Sequence, residues 1–364
     1  MKRIVLACIV LVLLICPLLT ACSTSSNGEK PDPVTTSSEN ESGKPIVDFA
    51  GNEFPGDMDI QGISAIHPIF SMLSIRLAPE KVKSVDMVFT RQYLAENSLT
   101  DLLTAFGIES VRALPVTNTF MQGIDPEQML ELNPDIIVTL NKDANAATLQ
   151  EQTGKDMLIL SKDTLENYAI SMRILGEVIG NTSEAYEIAD YWMEQVDGVS
   201  AKTKNITQAD RPRVYHVGNG GIYSIVGKDT IMASIVDIAG GYNLGNEVSN
   251  NENGTNESIE VSMEQILAWN PDIIIAPNKT QYDEIINSAE WQKLDAVKND
   301  KVYCQLKYAF MDGLLAVPGL LWCHMILTDP NDQLLWQEYL DTSKKYLKIM
   351  FKYNVSEDEL SIKR

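Results

Sequence analysis

Histidine is scarce in this chain of 364 residues, which contains only His67, His216 and His324. A site for a bare Zn²⁺ or Mn²⁺ ion usually draws on several histidines and carboxylates, so the sequence argues against a metal ion held by the protein itself. His324 stands in an apolar stretch beside Trp322 and Cys323, which favours a structural histidine in the core. His67 and His216 lie at the ends of predicted strands, where ligand contact and structural hydrogen bonding both agree with the sequence.

The common catalytic and nucleotide-binding motifs are missing as well. The chain has no H-E-x-x-H, no G-x-S-x-G and no P-loop. The glycine-rich residues 218–221 come closest to a dinucleotide-binding loop, but G-x-G-x-x-G would require glycine where Tyr223 stands. We therefore predict a protein that is not an enzyme, in which this segment is a flexible loop at a cleft.

Positive charge is in deficit, because 29 lysines and arginines stand against 50 aspartates and glutamates. The formal net charge is −21, and loss of an N-terminal signal that carries Lys2 and Arg3 would take it to −23. Nucleic acids and anionic lipid surfaces are poor partners for so acidic a chain. The net charge does not identify a ligand, because a cleft can differ from the surface around it.

The N-terminus has a basic start and an apolar run that is too short to span a membrane comfortably. Residues 1–21 are therefore predicted to be a secretory signal peptide. They end in the sequence Leu-Thr-Ala-Cys at 19–22, which resembles the bacterial lipobox and predicts that Cys22 is diacylated as a lipid anchor. Residues 23–44 are rich in polar residues and proline and predict a flexible tether. We expect the chain at the extracytoplasmic face of the cell membrane.

Cysteine is rare beyond this region. Of the five cysteines, Cys8 and Cys16 lie in the predicted signal, and only Cys304 and Cys323 follow Cys22. An oxidising compartment permits a disulfide between them. The sequence leaves the disulfide open, because it does not fix the distance between a cysteine on a predicted strand and one on a predicted helix.

The chain does contain an internal repeat, whose two copies are 137 residues apart. Residues 125–142 read DPEQMLELNPDIIVTLNK, and residues 262–279 read SMEQILAWNPDIIIAPNK. The spacing is too long for a solenoid repeat of about 20–50 residues and instead suits two similar α/β lobes. Two such lobes in one chain usually hold a ligand in the cleft between them.

Each copy predicts a short helix followed by a buried parallel strand. Asp125 and Ser262 are good N-caps, each with a glutamine three residues later to complete a capping box. The proline of Asn-Pro-Asp ends the helix, because it disfavours αR in the residue before it. The β-branched runs at 136–138 and 273–275 then form strands, and the Asn-Lys pairs after them lie at the edge where open α/β sheets bind ligands.

The remaining patterns complete two lobes around one long helix. The first lobe has a predicted hairpin at 47–59 and predicted strands at 61–66, 82–88, 111–116, 135–140 and 156–160. An amphipathic helix at 163–179 ends at Gly180, and an uninterrupted helix at 182–204, about 35 Å long, is long enough to reach the second lobe. The second lobe has predicted strands at 213–217, 272–276 and 301–304 and helices at 231–239, 263–269, 281–287, 313–327 and 332–351.

These elements predict an α/β fold with two Rossmann-like lobes, parallel-rich sheets and a ligand cleft between the lobes. The predicted domains are a signal peptide at 1–21, a tether at 22–44, an N-terminal lobe at 45–180, an interlobe helix at 181–206 and a C-terminal lobe at 207–364. The polar residues at 246–258 predict a loop within the second lobe.

The lipobox, the doubled motif, the long helix, the sequence AGGYNL at 239–244 and the segment at 291–303 together resemble one family. It comprises the helical-backbone, type III periplasmic-binding lipoproteins of ABC importers for ferric siderophores, cobalamin, haem and related complexes. The resemblance implies a monomer without a covalently bound cofactor, whose ligand is an iron- or cobalt-containing complex and whose partners are a permease dimer and its ATPase. It also implies that Glu127 and Glu264, at the matching helix starts, dock onto arginines of the permease.

The predicted cleft residues share a place at or just after strand ends: His67, Arg91, Phe120, Met121, Lys142, His216, Asn219, Tyr223, Lys279, Tyr308 and Phe310. The aromatic members favour a bulky planar or organic ligand, or else they pack the lobes internally. The basic members suit anionic groups such as carboxylates, catecholates or propionates.

Within the resemblance, a ferric siderophore is the first ligand candidate, followed by cobalamin or another corrinoid, haem and an oxyanion. Haem-binding relatives place an axial histidine in the stretch that here reads SIVGK at 224–228, so its lack of histidine weakens the haem interpretation. A cell-surface enzyme or adhesin on a similar two-lobe scaffold is the alternative function.

Overall fold

The computed structural model describes residues 44–363 apart from Asp57, Asn97 and 249–255. The predicted signal peptide, Cys22 and the predicted tether up to residue 43 lie outside these described residues. Across the part of the chain that is described, no helix has both the length and the apolar character needed to cross a membrane.

The first lobe combines a small hairpin with a parallel sheet. Its strands are β1 (Ile46–Val47), β2 (Glu53–Phe54), β3 (Ile63–Ala65), β4 (Val82–Asp86), β5 (Val116–Thr117), β6 (Ile136–Leu140) and β7 (Asp156–Leu160). The helices up to the end of the interlobe connection are α1 (Pro68–Leu77), α2 (Met87–Phe89), α3 (Ile108–Arg112), α4 (Pro126–Leu132), α5 (Ala146–Thr153), α6 (Leu165–Ile179) and α7 (Thr182–Thr203). β1 and β2 pair antiparallel as the predicted hairpin, and the other strands form a parallel sheet in the order β5-β4-β3-β6-β7.

Apolar β-branched residues explain why this sheet forms. β6 reads Ile-Ile-Val-Thr-Leu and is buried along its whole length, as expected for a parallel strand covered on both faces. It pairs with β3 on one side and with β7 on the other, so that Val138 lies opposite Ala65 and Leu158. The carboxyl ends of these three strands therefore open at one edge of the sheet.

The second lobe repeats this plan on a smaller scale. Its strands are β8 (Arg213–His216), β9 (Ser224–Ile225), β10 (Tyr242–Asn243), β11 (Ile259–Glu260), β12 (Ile273–Ala276) and β13 (Val302–Cys304). Its helices are α8 (Ile231–Ile238), α9 (Met263–Trp269), α10 (Lys279–Asn287), α11 (Asp295–Lys298), α12 (Ala316–Thr328), α13 (Gln333–Phe351) and α14 (Glu357–Leu360). The parallel sheet has the order β10-β8-β12-β13, and β9 pairs antiparallel with β11 beside it.

The predicted interlobe helix is α7, which has 22 residues and a length of about 33 Å. It follows α6 through a tight turn at Gly180, whose φ of 79° favours glycine. The two helices approach closely at Gly176, where an added Cβ would lie 2.1 Å from the Cβ of Ala185. α7 also contacts α8, α12 and α13, so it packs against elements of both lobes.

The doubled motif folds in the same way in both lobes, and its aspartate has a structural function. Asp135 Oδ2 accepts hydrogen bonds from the backbone N–H of Gln61 at 2.7 Å and of Gly62 at 2.8 Å, just before β3. Asp272 Oδ2 accepts one from the N–H of Arg213, the first residue of β8, at 2.8 Å. Each aspartate therefore joins the start of its own strand to the start of a neighbouring strand.

The predicted N-caps of the doubled motif are confirmed, whereas the capping boxes predicted for α4 and α9 do not form. Asp125 caps α4 and Ser262 caps α9 through their side-chain oxygens. Gln128 does not bond back to the cap, and its Nε2 donates to the carbonyl oxygen of Val116 at 3.1 Å. This bond connects α4 to β5.

The predicted strand at 111–116 is also wrong, because most of it belongs to α3 and the turn that follows. Ile108, Val111 and Leu114 recur at every third position and pack against the core of the lobe. That spacing matches a helical face better than a strand, whose side chains alternate. β5 begins only at Val116, at the edge of the sheet.

The predicted fold, two α/β lobes joined by one long helix, is confirmed by these elements. A large hydrophobic core runs from the first sheet through α7 to α12 and α13, and a smaller core surrounds Tyr215 and Trp291 in the second lobe. His324 is buried on α12, as predicted. Cys304 and Cys323 are both buried, and they are not joined in a disulfide.

Candidate functional site

A cavity of about 790 Å³ opens where the two lobes meet. From the first lobe it is lined by residues that follow β3, β6 and β7, including His67, Asn141 and Lys162. From the second lobe it is lined by Glu257, by the turn before α8 and by the loop after β13. The cavity therefore lies at the carboxyl ends of the first lobe's strands, where open α/β sheets bind ligands.

Aromatic side chains form part of the cavity wall. His67, Phe120 and Phe310 line it together with aliphatic residues such as Leu140. The ring of His67 lies 5.5 Å from that of Phe70 and 6.0 Å from that of Phe120. An apolar wall with a few polar groups is typical of sites for organic ligands.

His67 has a structural function in addition to its place in this wall. Its Nδ1 accepts a hydrogen bond from the backbone N–H of Ile69 at 3.3 Å and so caps α1. Burial, reinforced by the positive charge of Lys162, lowers the pKa of His67 well below its usual value. The ring is therefore neutral, with Nδ1 as the acceptor and Nε2 carrying the proton.

A lysine and two carboxylates from distant parts of the chain meet in the cavity. Lys162 Nζ lies 3.8 Å from the carboxylate of Glu257 and so joins the segment after β7 to the second lobe. Burial opposes the charge of Lys162, but Asp312, Glu257 and Asp163 outweigh this effect and raise its pKa. Burial also raises the pKa of Glu257, against the influence of Lys162. Asp312 accepts a hydrogen bond from the hydroxyl of Tyr168 at 3.1 Å.

Two further lysines of the cavity are also paired with carboxylates. Lys142 Nζ lies 2.5 Å from Asp163, and Lys307 Nζ lies 2.5 Å from Asp101. Arg91, on the π-helical turn after α2, is exposed and forms no ion pair with any residue that the structure describes. Among the described residues that line the cavity, Arg91 is thus the cation that remains available to a ligand.

The predicted cleft residues fall into two groups. Those that line the cavity are His67, Arg91, Phe120, Met121, Lys142 and Phe310. Those that lie elsewhere are His216, Asn219, Tyr223, Lys279 and Tyr308. Asn219 and Tyr223 are exposed outside the cavity, and Lys279 is paired with Asp283 within α10.

His216 and Tyr308 lie in the interior instead of the cavity. His216 is fully buried, its Nε2 lies 2.9 Å from Nε2 of Gln305, and burial lowers its pKa to about 3. Gln305, in the loop after β13, also accepts a hydrogen bond at its Oε1 from the backbone N–H of Met311 at 3.3 Å, so it links His216 at the end of β8 to this loop. Tyr308, on the same loop, donates to Asp101 at 2.9 Å. A place at a strand end therefore does not by itself bring a side chain into the cleft.

The two glutamates that the sequence singled out are exposed in the first turns of α4 and α9. Within the described part of the chain, neither Glu127 nor Glu264 forms a side-chain hydrogen bond or an ion pair. Leu130, on the same helix as Glu127, is 49% exposed, whereas the exposed Tyr223 donates its hydroxyl to Glu290 at 3.3 Å.

Lys162, Glu257 and Asp312 are absent from the predicted cleft set. A signal for Lys162 exists in the sequence, because it follows β7 as Lys142 follows β6. No comparable signal marks Glu257 or Asp312. They lie in loops of the second lobe whose path depends on tertiary packing.

Comparison with known proteins relates this chain to a family. A family model described as periplasmic binding protein matches residues 89–306, which is more than half of the chain. Cobalamin-binding proteins from two strains of Halobacterium salinarum are 22% identical over 193 residues, or 51% of this chain and 50% of each relative. The chain thus spans about half the length of the curated relatives it matches.

Solved structures extend the likeness over most of the described fold. An ABC transporter solute binding protein from Sulfurospirillum deleyianum is 20% identical with a TM-score of 0.71, covering 87% of this chain and 98% of that one. A molybdate periplasmic binding protein from Haemophilus influenzae is 15% identical with a TM-score of 0.71, covering 86% of this chain and 99% of that one. At these identities the structures establish the fold. With the match to the family model, they show that the chain belongs to the periplasmic binding protein family.

Proposed function

We propose that this protein is the extracytoplasmic, lipid-anchored solute-binding component of an ABC importer. It captures a metal complex between its lobes and delivers it to a permease dimer with its ATPase. The observation that carries this proposal is the cavity of about 790 Å³ lined by both lobes. Its volume falls within the range of about 300–1,000 Å³ that small organic ligands occupy.

The proposed ligand is an iron- or cobalt-containing complex with an organic shell. A bare oxyanion would leave most of the cavity unfilled, whereas the aromatic wall formed by His67, Phe120 and Phe310 suits an organic surface. The curated relatives are named for cobalamin, which favours a corrinoid as strongly as the sequence favours a ferric siderophore. Haem ranks behind these two.

The exposed glutamates support the proposed docking onto a permease. Glu127 and Glu264 occupy equivalent, exposed positions in the first turns of α4 and α9. Carboxylates in such positions are available to arginines of a partner, with which they form charge-assisted hydrogen bonds. The proposed lipid anchor is Cys22, and replacing it with alanine is expected to release the protein from the membrane fraction.

Ligand capture by the full-length chain, extracted from membranes in detergent, tests the proposed function. Native mass spectrometry and absorbance spectroscopy should show one co-purified or added corrinoid or ferric chelate per chain. Phe120→Ala should weaken this binding, whereas Leu334→Ala should not, because Leu334 is 81% exposed on α13 and does not line the cavity. A protein that binds none of these complexes would contradict the proposal.

A further inference from the structure

The charges in the cavity are nearly balanced and slightly negative. Among the described residues that line it, the cations are Arg91, Lys142, Lys162 and Lys307, and the carboxylates are Glu96, Asp163, Asp229, Glu257 and Asp312. Each of the three lysines already faces a carboxylate, at 2.5 Å for Lys142, 3.8 Å for Lys162 and 2.5 Å for Lys307. A lysine that is paired in this way offers little net attraction to an anionic ligand.

The carboxylate of Asp312 influences several titratable groups in and around the cavity. Its Oδ1 accepts hydrogen bonds from the Tyr168 hydroxyl at 3.1 Å and from the backbone N–H of Gly313 at 2.7 Å. Its charge acts on side chains from separate elements. After burial, Asp312 is the next cause of the raised pKa of Tyr93 and of Tyr168, and it is the strongest of the acids that raise the pKa of Lys162.

Glu257 adds a second carboxylate from another loop that lines the cavity. Its carboxylate lies 3.8 Å from Lys162, whose pKa is raised by Asp312 and Asp163 as well as by Glu257. Lys142 and Lys162 thus stand against the three carboxylates of Asp163, Glu257 and Asp312, so the formal charge of this part of the cavity is negative. The exposed Arg91 is the cation without such a partner in the described structure.

We propose that the cavity selects metal chelates of zero or positive net charge and rejects polyanionic ones, with Asp312 and Glu257 as the residues that discriminate. This inference rests on the proposed function and narrows its ligand class. The favoured ligands carry amide or hydroxyl groups at their periphery, which can donate to these carboxylates and accept from Lys162. A carboxylate-rich or catecholate chelate would instead bring like charges together in a partly desolvated site.

Two matched ligand series test the inference on the full-length chain in detergent. The first compares cyanocobalamin with the monocarboxylate made by hydrolysing one of its propionamides and with the methyl ester of that acid. The second compares ferrioxamine B with its N-acetyl and N-succinyl derivatives, which share one ferric trihydroxamate core. Isothermal titration calorimetry gives each Kd. In the series that binds, the anionic member should bind at least about tenfold more weakly than the neutral or cationic members.

Substitution of the two carboxylates should remove this discrimination. Asp312→Asn and Glu257→Gln should each improve the binding of the anionic member about tenfold relative to its neutral counterpart. The matched controls are Asp197→Asn and Glu187→Gln, which change the same charges on the exposed face of α7, away from the cavity. Thermal unfolding verifies that every variant is folded, and if the cavity variants fail to fold, the wild-type series alone decides.

The possible outcomes distinguish failure of the charge selection from failure of the proposed function. Anionic members that bind as tightly as neutral ones, or variants that leave the ratio unchanged, would overturn the charge selection and leave the proposed function intact. A chain that binds no member of either series, and no ferric tris-catecholate such as ferric enterobactin, would overturn the proposed function and this inference with it. Tight binding of ferric enterobactin alone would refute only the charge selection.

Discussion

His67 both caps α1 and lines the cavity, so a substitution there changes two properties at once. Nδ1 is occupied by the N–H of Ile69, which leaves Nε2–H as the group that can donate to a ligand. Because burial keeps the pKa of His67 low, the ring stays neutral at physiological pH. It therefore contributes a hydrogen-bond donor and an aromatic surface to the cavity, but no positive charge.

Two substitutions of His67 should separate these roles. Asparagine is a good N-cap, so His67→Asn should retain most of the folding stability, whereas His67→Ala should lose about 0.5–2 kcal/mol. Both should weaken ligand binding, because both remove the ring from the wall. Chemical denaturation and calorimetric titration measure the two effects. If His67→Asn binds ligand as tightly as the wild type, the function of His67 is structural only.

At the scale of elements, the packing of α6 on α7 depends on the absence of a side chain at Gly176. A Cβ there would lie 2.1 Å from Ala185 Cβ and 3.1 Å from the carbonyl oxygen of Asn181. Gly176→Ala should therefore lower the free energy of unfolding by about 1–3 kcal/mol through overpacking. Adding Ala185→Gly to that variant should recover part of the loss, as thermal and denaturant unfolding would show.

A glycine on the partner helix provides the control. Gly198 lies within α7, and nothing stands within 4 Å of the position its Cβ would take. Gly198→Ala should raise the free energy of unfolding by up to about 1 kcal/mol, because alanine has the higher helix propensity. If Gly176→Ala were equally stabilising, the close approach of α6 and α7 would not be real.

A second junction of elements predicts how stability depends on pH. The carboxylate of Glu184 on α7 lies 2.6 Å from Nη1 of Arg76 on α1 and 3.1 Å from Nζ of Lys352 at the end of α13. Although burial opposes its charge, the bonds from Arg76 and Asn181 lower the pKa of Glu184 from 4.5 to about 2. A carboxyl whose pKa is lowered by folding stabilises the protein above its unfolded pKa and loses this effect as the pH falls through the folded pKa.

Glu184→Gln should therefore reduce the free energy of unfolding at neutral pH, by about 2–3 kcal/mol, because the buried guanidinium of Arg76 loses its counter-charge. The difference from the wild type should shrink between pH 4.5 and about 2. Glu187→Gln, on an exposed position of the same helix, serves as the control. Urea denaturation over this pH range gives the comparison, and a difference that is constant with pH would contradict the ion pair.

The elements that the sequence predicts well are those whose signals are local. The doubled motif, with its N-caps, its asparagine stops and its β-branched runs, is found where it was predicted, and α9 begins and ends at the predicted residues. The strand predicted at 111–116 fails because core packing favours a helical turn there. In the cavity, Lys142 could be inferred from a strand end, but the meeting of Lys162, Glu257 and Asp312 arises only when two lobes come together.

At the scale of the whole molecule, the acidity of the chain lies mainly outside the cavity. The formal net charge is −21, while the charged residues described in the cavity leave one net negative charge. An acidic outer surface favours encounter with a basic partner and sets the orientation of docking more than it sets affinity. Glu127 and Glu264 can contribute to the encounter with a partner and to the orientation of docking, because each is exposed on an equivalent helix of its lobe.

Replacing Glu127 or Glu264 with alanine or lysine should reduce uptake by cells and leave ligand affinity nearly unchanged. Exposed acids contribute little to stability, so these variants should fold. At an interface, a charge-assisted hydrogen bond from arginine to each carboxylate contributes about 1.5–3 kcal/mol, so its loss should weaken docking about tenfold or more. Lysine should be more harmful than alanine, because it would place like charges opposite each other.

Glu187→Lys on α7 is the matched control, because it reverses an exposed acid of the same type at a position outside the two repeated helices. If it also abolishes uptake, the overall charge of the molecule matters more than the two docking sites. Uptake of labelled ligand by cells is measured beside ligand titration of the purified chain. The docking function would be wrong if variants at Glu127 and Glu264 transport normally, or if they lose ligand affinity tenfold. The glutamate shared by the two copies of the repeat would then be only a part of a repeated folding unit.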